Sequence, residues 1–286
     1  AHSWYQKLEN HWIVTEDEAQ DQLARTVNEV THSYAYRRNI PSVEGTSKLS
    51  PYLAWGQISP RQVSQAVLQG DSRDGRRGEN KFLTEIGWRE FSYHLLYHFP
   101  HIPDEPLRSK YASFPWLEDP DSLKRWRFGN TGYPMVDAGM RQLYETGWMH
   151  NRVRMVVASF LVKHLLLSWS QGARWFWDTL VDADLASNTQ GWQWAAGCGA
   201  DAAPYFRIFN PITQGEKFDA KGTYAKHWIP ALENLPSKWV FRPWETPAEV
   251  LSESGMQLDD NYPGPCVDHS HARARALEAL ASLKKI

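Results

Sequence analysis

Within one short stretch the chain sets two carboxylates, Asp182 and Asp184, an amide, Asn188, and two indoles, Trp192 and Trp194. Positions i and i+2 of a helix lie about 200° apart, so the indoles cannot share a partner: one can face a buried group while the other faces a cleft. A tryptophan in isolation is usually a core residue, but two core residues would not account for the adjoining acids and amide. An amide both donates and accepts hydrogen bonds; a loop turn is the plainer use of an asparagine. A second set is Glu85, Trp88 and Arg89, at i, i+3 and i+4 and so on one helix face, and Asn151, Arg154 and Met155 share another face by the same rule. A third is residues 45–50, Gly-Thr-Ser-Lys-Leu-Ser. It offers a glycine turn, hydroxyls and free backbone N–H groups ahead of a helix, hardware for a phosphate or for an ordinary helix cap.

Helical periodicity must position these groups. Val136, Met140 and Leu143 recur at i, i+4, i+7 between Pro134 and Gly147. Ser59-Pro60 reads as an N-cap and first helical position leading into 62–68. Residues 155–169 are apolar nearly all round and predict one fully buried helix; residues 82–99 predict a long aromatic helix stopped by Pro100. The tail, 268–286, predicts a helix with Leu277, Leu280 and Leu283 on its apolar stripe. Residues 71–80 read as a polar surface loop and 236–265 as an irregular, proline-dotted wrap. There is no alternating run long enough to require a sheet and no internal repeat. The fold class expected is all-α.

At 286 residues the chain can bury a large core. Its fifteen tryptophans suit stacking on planar ligands or bases, or a Trp-rich core. The formal net charge is −2, so affinity for a polyanion would have to come from local patches. Candidates are Arg37-Arg38, Arg73 with Arg76-Arg77, Lys124-Arg125 with Arg127, and Arg152 with Arg154. Cys198 and Cys266, far apart, give neither a disulfide framework nor metal-binding spacing, which points to a reducing, intracellular (cytoplasmic) setting and no metal. The run 155–169 carries Lys163 and His164 and is too short for a bilayer, which needs about 20 apolar residues.

The segment VDADLASNTQGWQWAAGCGADAAPYFRIFNPITQGEKFD resembles the flavin-binding region of the photolyase/cryptochrome family, and FLTEIGWREF, GWMHNRVRM and the Thr46–Ser50 loop resemble it too. The likeness runs from about Tyr34 onward and is greatest to photolyases acting on cyclobutane pyrimidine dimers. It implies a multi-helix, FAD-binding catalytic domain spanning 1–286, with 1–15 the remnant of a linker from an α/β antenna domain that nothing here resembles; the antenna chromophore is unknown. It implies FAD contacts from Tyr34, Thr46, Ser47, Lys48, Leu49, Ser50, Arg89, Arg154, Asp182, Ala183, Asp184 and Asn188, with Arg154 paired to Asp182 and Asn188 facing the flavin N5. Arg89 and Arg154 would favour an anionic, reduced flavin. Glu85, Trp88, Asn151, Met155 and Trp194 would line the lesion cavity, with Glu85 catalytic if desolvated and protonated. Arg38, Asn151, Arg152, Gln214 and Lys217 would hold UV-damaged DNA, and Trp116, Trp169 and Trp192 would relay electrons. The activity implied is light-driven dimer repair by a monomeric enzyme. Signalling as a cryptochrome-like photosensor and repair of (6-4) photoproducts are the alternatives; the latter implies a histidine where this chain has Asn151, and His150 should face elsewhere.

Overall fold

The computed structural model describes residues 3–71, 76–202 and 206–283. Arg73, from one candidate basic patch, and the last three residues of the tail fall outside them. The described chain is helical, with two isolated bridges and no strand. The helices are α1 (Glu16–Arg25), α2 (Tyr34–Arg37), α3 (Ser50–Ala54), α4 (Pro60–Gln69), α5 (Arg77–His98), α6 (Pro120–Arg127), α7 (Pro134–Thr146), α8 (Asn151–Ser159), α9 (Trp169–Thr179), α10 (Leu185–Ala196), α11 (Pro211–Phe218), α12 (Thr223–Trp228), α13 (Ala248–Ser254) and α14 (His269–Ser282).

Local sequence sets several boundaries. Ser59 caps α4 in a full capping box, its hydroxyl accepting from the Gln62 N–H while the Gln62 side chain accepts from the Ser59 N–H, with Pro60 next. Gly147 ends α7 in the left-handed region, φ 66°, a conformation glycine takes without steric cost. Val136, Met140 and Leu143 are buried, as their spacing requires.

Three expectations need correction. Residues 155–169 are not one helix: α8 ends at Ser159, a π-helical turn covers Phe160–His164, and Leu166 takes φ 57°. There Leu166 gives its carbonyl to the Leu117 N–H at 2.9 Å, and Ser168 caps the new helix α9. Residues 156–167 are all buried, so apolarity all round could not reveal where the backbone turned. The α5 helix starts at Arg77, inside the expected polar loop 71–80. The buried side of α14 is Ala272, Ala276, Ala279 and Leu283, while Leu277 is exposed; small alanines allow close approach where a leucine stripe would not fit.

Two buried apolar clusters form. The larger gathers α7, α8, the π turn, α9, α10 and α12; the smaller gathers side chains of α1, α3 and α4 with Tyr34, Leu49 and Phe82. Helix α10 packs against α5, α8 and α9, so its residues lie where the two clusters meet.

Candidate functional site: a cavity between the two clusters

A cavity of about 610 Å³ opens there. Its walls combine smaller-cluster residues (Tyr34, Leu53, Phe82) with larger-cluster residues (Met149, Phe176, Leu180, Trp192). It is within the size range of cofactor sites.

One wall is charged. Asp182 has only 3% of its side chain exposed and accepts from Arg154 Nη2 at 2.8 Å, while Arg154 Nε donates to the Met149 carbonyl at 2.7 Å. The second Asp182 oxygen, Oδ1, is buried without a protein partner, a donor-seeking atom at the cavity wall. Asp184 does two jobs. Its Oδ2 caps α10 by accepting from the Ser187 N–H, and its Oδ1 accepts from the Tyr93 hydroxyl at 2.7 Å. Tyr93 in turn accepts from Arg89 Nη2 at 3.1 Å, so Arg89 and Asp184 are joined through a phenol rather than directly. Burial, then the bond to Asp184, raises the Tyr93 pKa, so the phenol keeps its proton. Asn188 lies inside α10, so the plainer loop-turn use does not apply; its Nδ2 donates to the Ala173 carbonyl at 2.9 Å, fixing how the amide is presented.

Tyr34, Thr46, Ser47, Lys48, Ser50 and Ala183 also line the cavity. Burial, above all, pushes Tyr34 up to about 12, so it is neutral. Lys48 takes φ 52°, which turns the 46–50 segment, and its ammonium pairs with Glu44 at 2.9 Å. Leu49 departs from expectation: its side chain sits in the smaller core and its N–H goes to the Ser47 hydroxyl at 3.3 Å. A leucine in a polar loop packs inward, so among 46–50 it serves the core and not the cavity.

Glu85, Trp88, Asn151, Met155 and Trp194 are brought together along the same cavity. Trp88 is 40% exposed, and Trp194 is backed by the Phe209 ring at 6.2 Å. Trp192, two positions from Trp194, is 2% exposed, sits against Trp126 and Phe176, and leaves its Nε1–H unpartnered. The two-faced reading of this pair is thus met. Glu85 contacts two cations, Arg38 and Lys81, the latter at 3.1 Å, and keeps 28% of its side chain exposed. Lys81 was not foreseen; its i, i+4 spacing before Glu85 was the signal.

Other expected residues lie apart from the cavity lining. Arg152 is half-buried, bonded to Asn39 Oδ1 at 2.7 Å and laid over the Phe218 ring at 4.4 Å, so it is not a free rim charge. Gln214, on α11, has a buried Oε1 without a partner, and Lys217 is exposed. His150 faces away, as expected: it caps α8 through Nδ1 and is buried, and burial with the nearby arginines brings it down to about 4. Trp169 starts α9 and is buried, and Trp116 is partly buried beside Phe114. The segments carrying them are joined by the Leu117–Leu167 bridge, but among the described residues no close ring contact links Trp116, Trp169 and Trp192.

The cavity, with its paired arginines, oriented amide, orphan carboxylate oxygen and aromatic walls, is that of a protein built to hold a large, polar, planar cofactor. A profile described as the FAD binding domain of DNA photolyase matches residues 82–282, and the chain belongs to that family. It is 50% identical over 282 residues to a deoxyribodipyrimidine photo-lyase of Agrobacterium fabrum, covering 99% of this chain and 59% of that protein. It is 43% identical over 259 residues to cryptochrome-2 of Arabidopsis thaliana, covering 87% of this chain and 42% of that one. A solved structure of a bacterial class III photolyase from Agrobacterium tumefaciens superposes with a TM-score of 0.93 at 49% identity, covering 99% of this chain and 59% of that chain. The chain therefore spans well under two thirds of the length of these relatives. FAD fits the residues present: Asp182 Oδ1 offers a free buried acceptor, Asn188 an oriented amide, and Arg89 and Arg154 the cations.

Proposed function

We propose that this chain is the catalytic part of a light-driven enzyme that repairs cyclobutane pyrimidine dimers in DNA. The observation that carries the reading is the meeting of two residue sets in one cavity: Tyr34, Arg89, Arg154, Asp182, Ala183, Asp184 and Asn188 around a flavin, and Glu85, Trp88, Asn151, Met155 and Trp194 around a lesion. Bound there in its reduced, anionic form, FAD supplies a light-excited electron that opens the cyclobutane ring and then returns.

The chain's own part is binding and preorganisation. Arg89 pairs with the exposed Glu90 at 3.3 Å and reaches Asp184 only through the Tyr93 hydroxyl, and its cation at the wall favours an anionic ring. Asp182, held by Arg154, accepts from the cofactor through its free Oδ1. Thr46, Ser47, Lys48 and Ser50 hold the phosphates. Trp88 and Trp194 grip the damaged bases, and Glu85, Asn151 and Met155 contact their edges. A dimer stacks and pairs poorly, which lowers the cost of taking it out of the duplex, as enzymes acting on bases in general do, photolyases among them. Arg38 and Lys81 pair with Glu85 before DNA arrives and can exchange that carboxylate for phosphates. Trp192, Trp169 and Trp116 serve recharging of the flavin and not the repair step.

Asn151 at the cavity and His150 turned into the core disfavour (6-4) repair, which calls for a histidine at the lesion. The complete lesion set disfavours a purely signalling photosensor. The test is illumination of the flavin-loaded, reduced protein with an oligonucleotide carrying one dimer. Restoration of intact pyrimidines, with (6-4) substrates untouched, is expected. Turnover of neither lesion by protein whose absorption spectrum shows bound, reduced flavin would sink the enzyme reading.

A further inference from the structure

Lys163 is the one lysine of the described chain with essentially no exposure, 1%, and no carboxylate lies within ion-pair distance of it among the described residues. An ammonium so buried is costly, and an apolar side chain of similar volume would be less so. Its geometry shows what it does instead. Lys163 stands on the π turn after α8, and its Nζ donates to the Arg207 carbonyl at 2.5 Å and lies 4.5 Å from the centre of the Phe206 ring. Four residues earlier on the same stretch, the buried Ser159 hydroxyl accepts from the Phe209 N–H at 3.2 Å. The two anchors hold residues 206–210, the connection into α11. Within it Phe206 takes φ 53°, a conformation an L side chain keeps only when its surroundings impose it. Phe209, held between the anchors and the Asn210 cap of α11, supplies the ring behind Trp194. The site's lesion-facing indole is thus backed by a loop whose shape depends on a buried cation.

We propose that Lys163 is a positioning residue that fixes the 206–210 loop through the Arg207 carbonyl and so holds Trp194 in the pose that distinguishes a damaged base pair from an intact one. This rests on the repair reading above. Burial also brings Lys163 down to about 7, consistent with an ammonium held only by dipoles and a ring.

The test uses flavin-loaded protein carrying Lys163→Met, with Ser159→Ala as the second variant should the first not fold. Hydrogen exchange is read on peptides covering 206–210, and affinity is titrated with dimer-containing and intact duplexes. Methionine fills the volume without the charge, so flavin content and melting temperature should hold or rise, where a merely structural lysine would lower them. Exchange across 206–210 should speed up about tenfold or more while α7 and α8 keep their protection. Preference for the dimer should fall about three- to tenfold, with intact-duplex binding unchanged. Unaltered exchange at 206–210 would show that Lys163 does not hold the loop. A loosened loop with undiminished preference would show that the loop does not set discrimination. Wild-type protein binding both duplexes alike would instead overturn the repair reading, with the exchange result standing by itself.

Discussion

Replacing Gly172 by alanine puts the packing around Trp192 to a direct test. A Cβ at Gly172 would lie 2.1 Å from Trp192 Cη2, 2.4 Å from Cζ3 and 2.6 Å from Cζ2. Carbon atoms rest at about 3.5–4.0 Å, so the ring edge would have to retreat by roughly 1.4 Å. It has little room: Trp192 is 2% exposed and bounded by Trp126 at 6.1 Å and Phe176 at 5.0 Å. Overpacking of this kind costs about 1–3 kcal/mol. Alanine in the middle of α9 returns roughly 0.5–1 kcal/mol of helix propensity. The clash is the larger effect, and a net loss of about 1–2 kcal/mol is expected, a melting shift of several degrees at this chain length. Because the displaced ring also borders the cavity, photoreduction of oxidised flavin should slow alongside. Thermal denaturation followed by circular dichroism, and flavin bleaching under steady blue light, measure the two. A variant more stable than wild type, with unchanged photoreduction, would show that the indole has space and that Gly172 does not seat it.

Trp116→Phe should slow photoreduction of oxidised flavin severalfold yet spare repair by chemically reduced protein; equal loss of both would make Trp116 structural. Asp182→Ala leaves Arg154 unpaired, and because Arg154 keeps 23% exposure the cost should fall near 3 kcal/mol, the low end for broken buried pairs, with flavin lost on gel filtration; retained flavin at wild-type stability would refute the pairing. Trp194→Ala should cut affinity for dimer DNA by about 1–3 kcal/mol per stacked base and leave the salt dependence alone, whereas Lys217→Ala should weaken both DNAs and flatten the salt slope by about one phosphate contact. Buried His150 and His164 are brought down to about 4 and about 3, so the unfolded chain takes up their protons first: stability should be full above pH 6.5 and fall as pH drops from 6.5 toward 4. Lys163, at about 7 when folded, adds a further rise in stability from pH 7 upward that Lys163→Met should abolish, and urea titrations across pH 4–9 would reveal an absent rise.

Much of this architecture could be read from the sequence wherever one local rule acted alone. Ser59-Pro60, Gly147 and the Val136, Met140, Leu143 spacing each fixed a boundary or a face, and the two-position spacing of Trp192 and Trp194 gave opposite environments. Legibility failed where burial was complete. From Val156 to Leu167 every residue is buried, so hydrophobicity carried no phase, and the turn at Leu166 depends on a distant partner, Leu117. The same holds for Leu49 and Arg152, which the family resemblance placed in the site but whose neighbours, the smaller core and the Asn39–Phe218 pair, come from elsewhere in the chain. Lys163 drew notice only as a charge interrupting an apolar run, because the carbonyl that it serves is 44 residues away.

The charge distribution explains how a chain of net charge −2 can present a site for anions. The cavity is lined by the cations Arg38, Lys48, Lys81, Arg89 and Arg154 and by the acids Glu85, Asp182, Asp184 and Asp201, five against four. Near balance keeps the walls from repelling each other, so what a ligand meets is set by how tightly each cation is committed. Arg154 is committed to the buried Asp182, and Lys48 to the exposed Glu44. Arg38 and Lys81 share the single carboxylate of Glu85, so one positive charge there lacks a full counterpart. Arg89 pairs with the exposed Glu90 at 3.3 Å and meets Asp184 only through the Tyr93 hydroxyl. The undercompensated place is thus the Arg38–Lys81 pair, beside the residues assigned to DNA, while Arg89, beside those assigned to the flavin, is paired with a carboxylate outside the cavity lining. A buried ring and a surface polyanion can then each find a cation without the protein carrying a positive field over its whole surface.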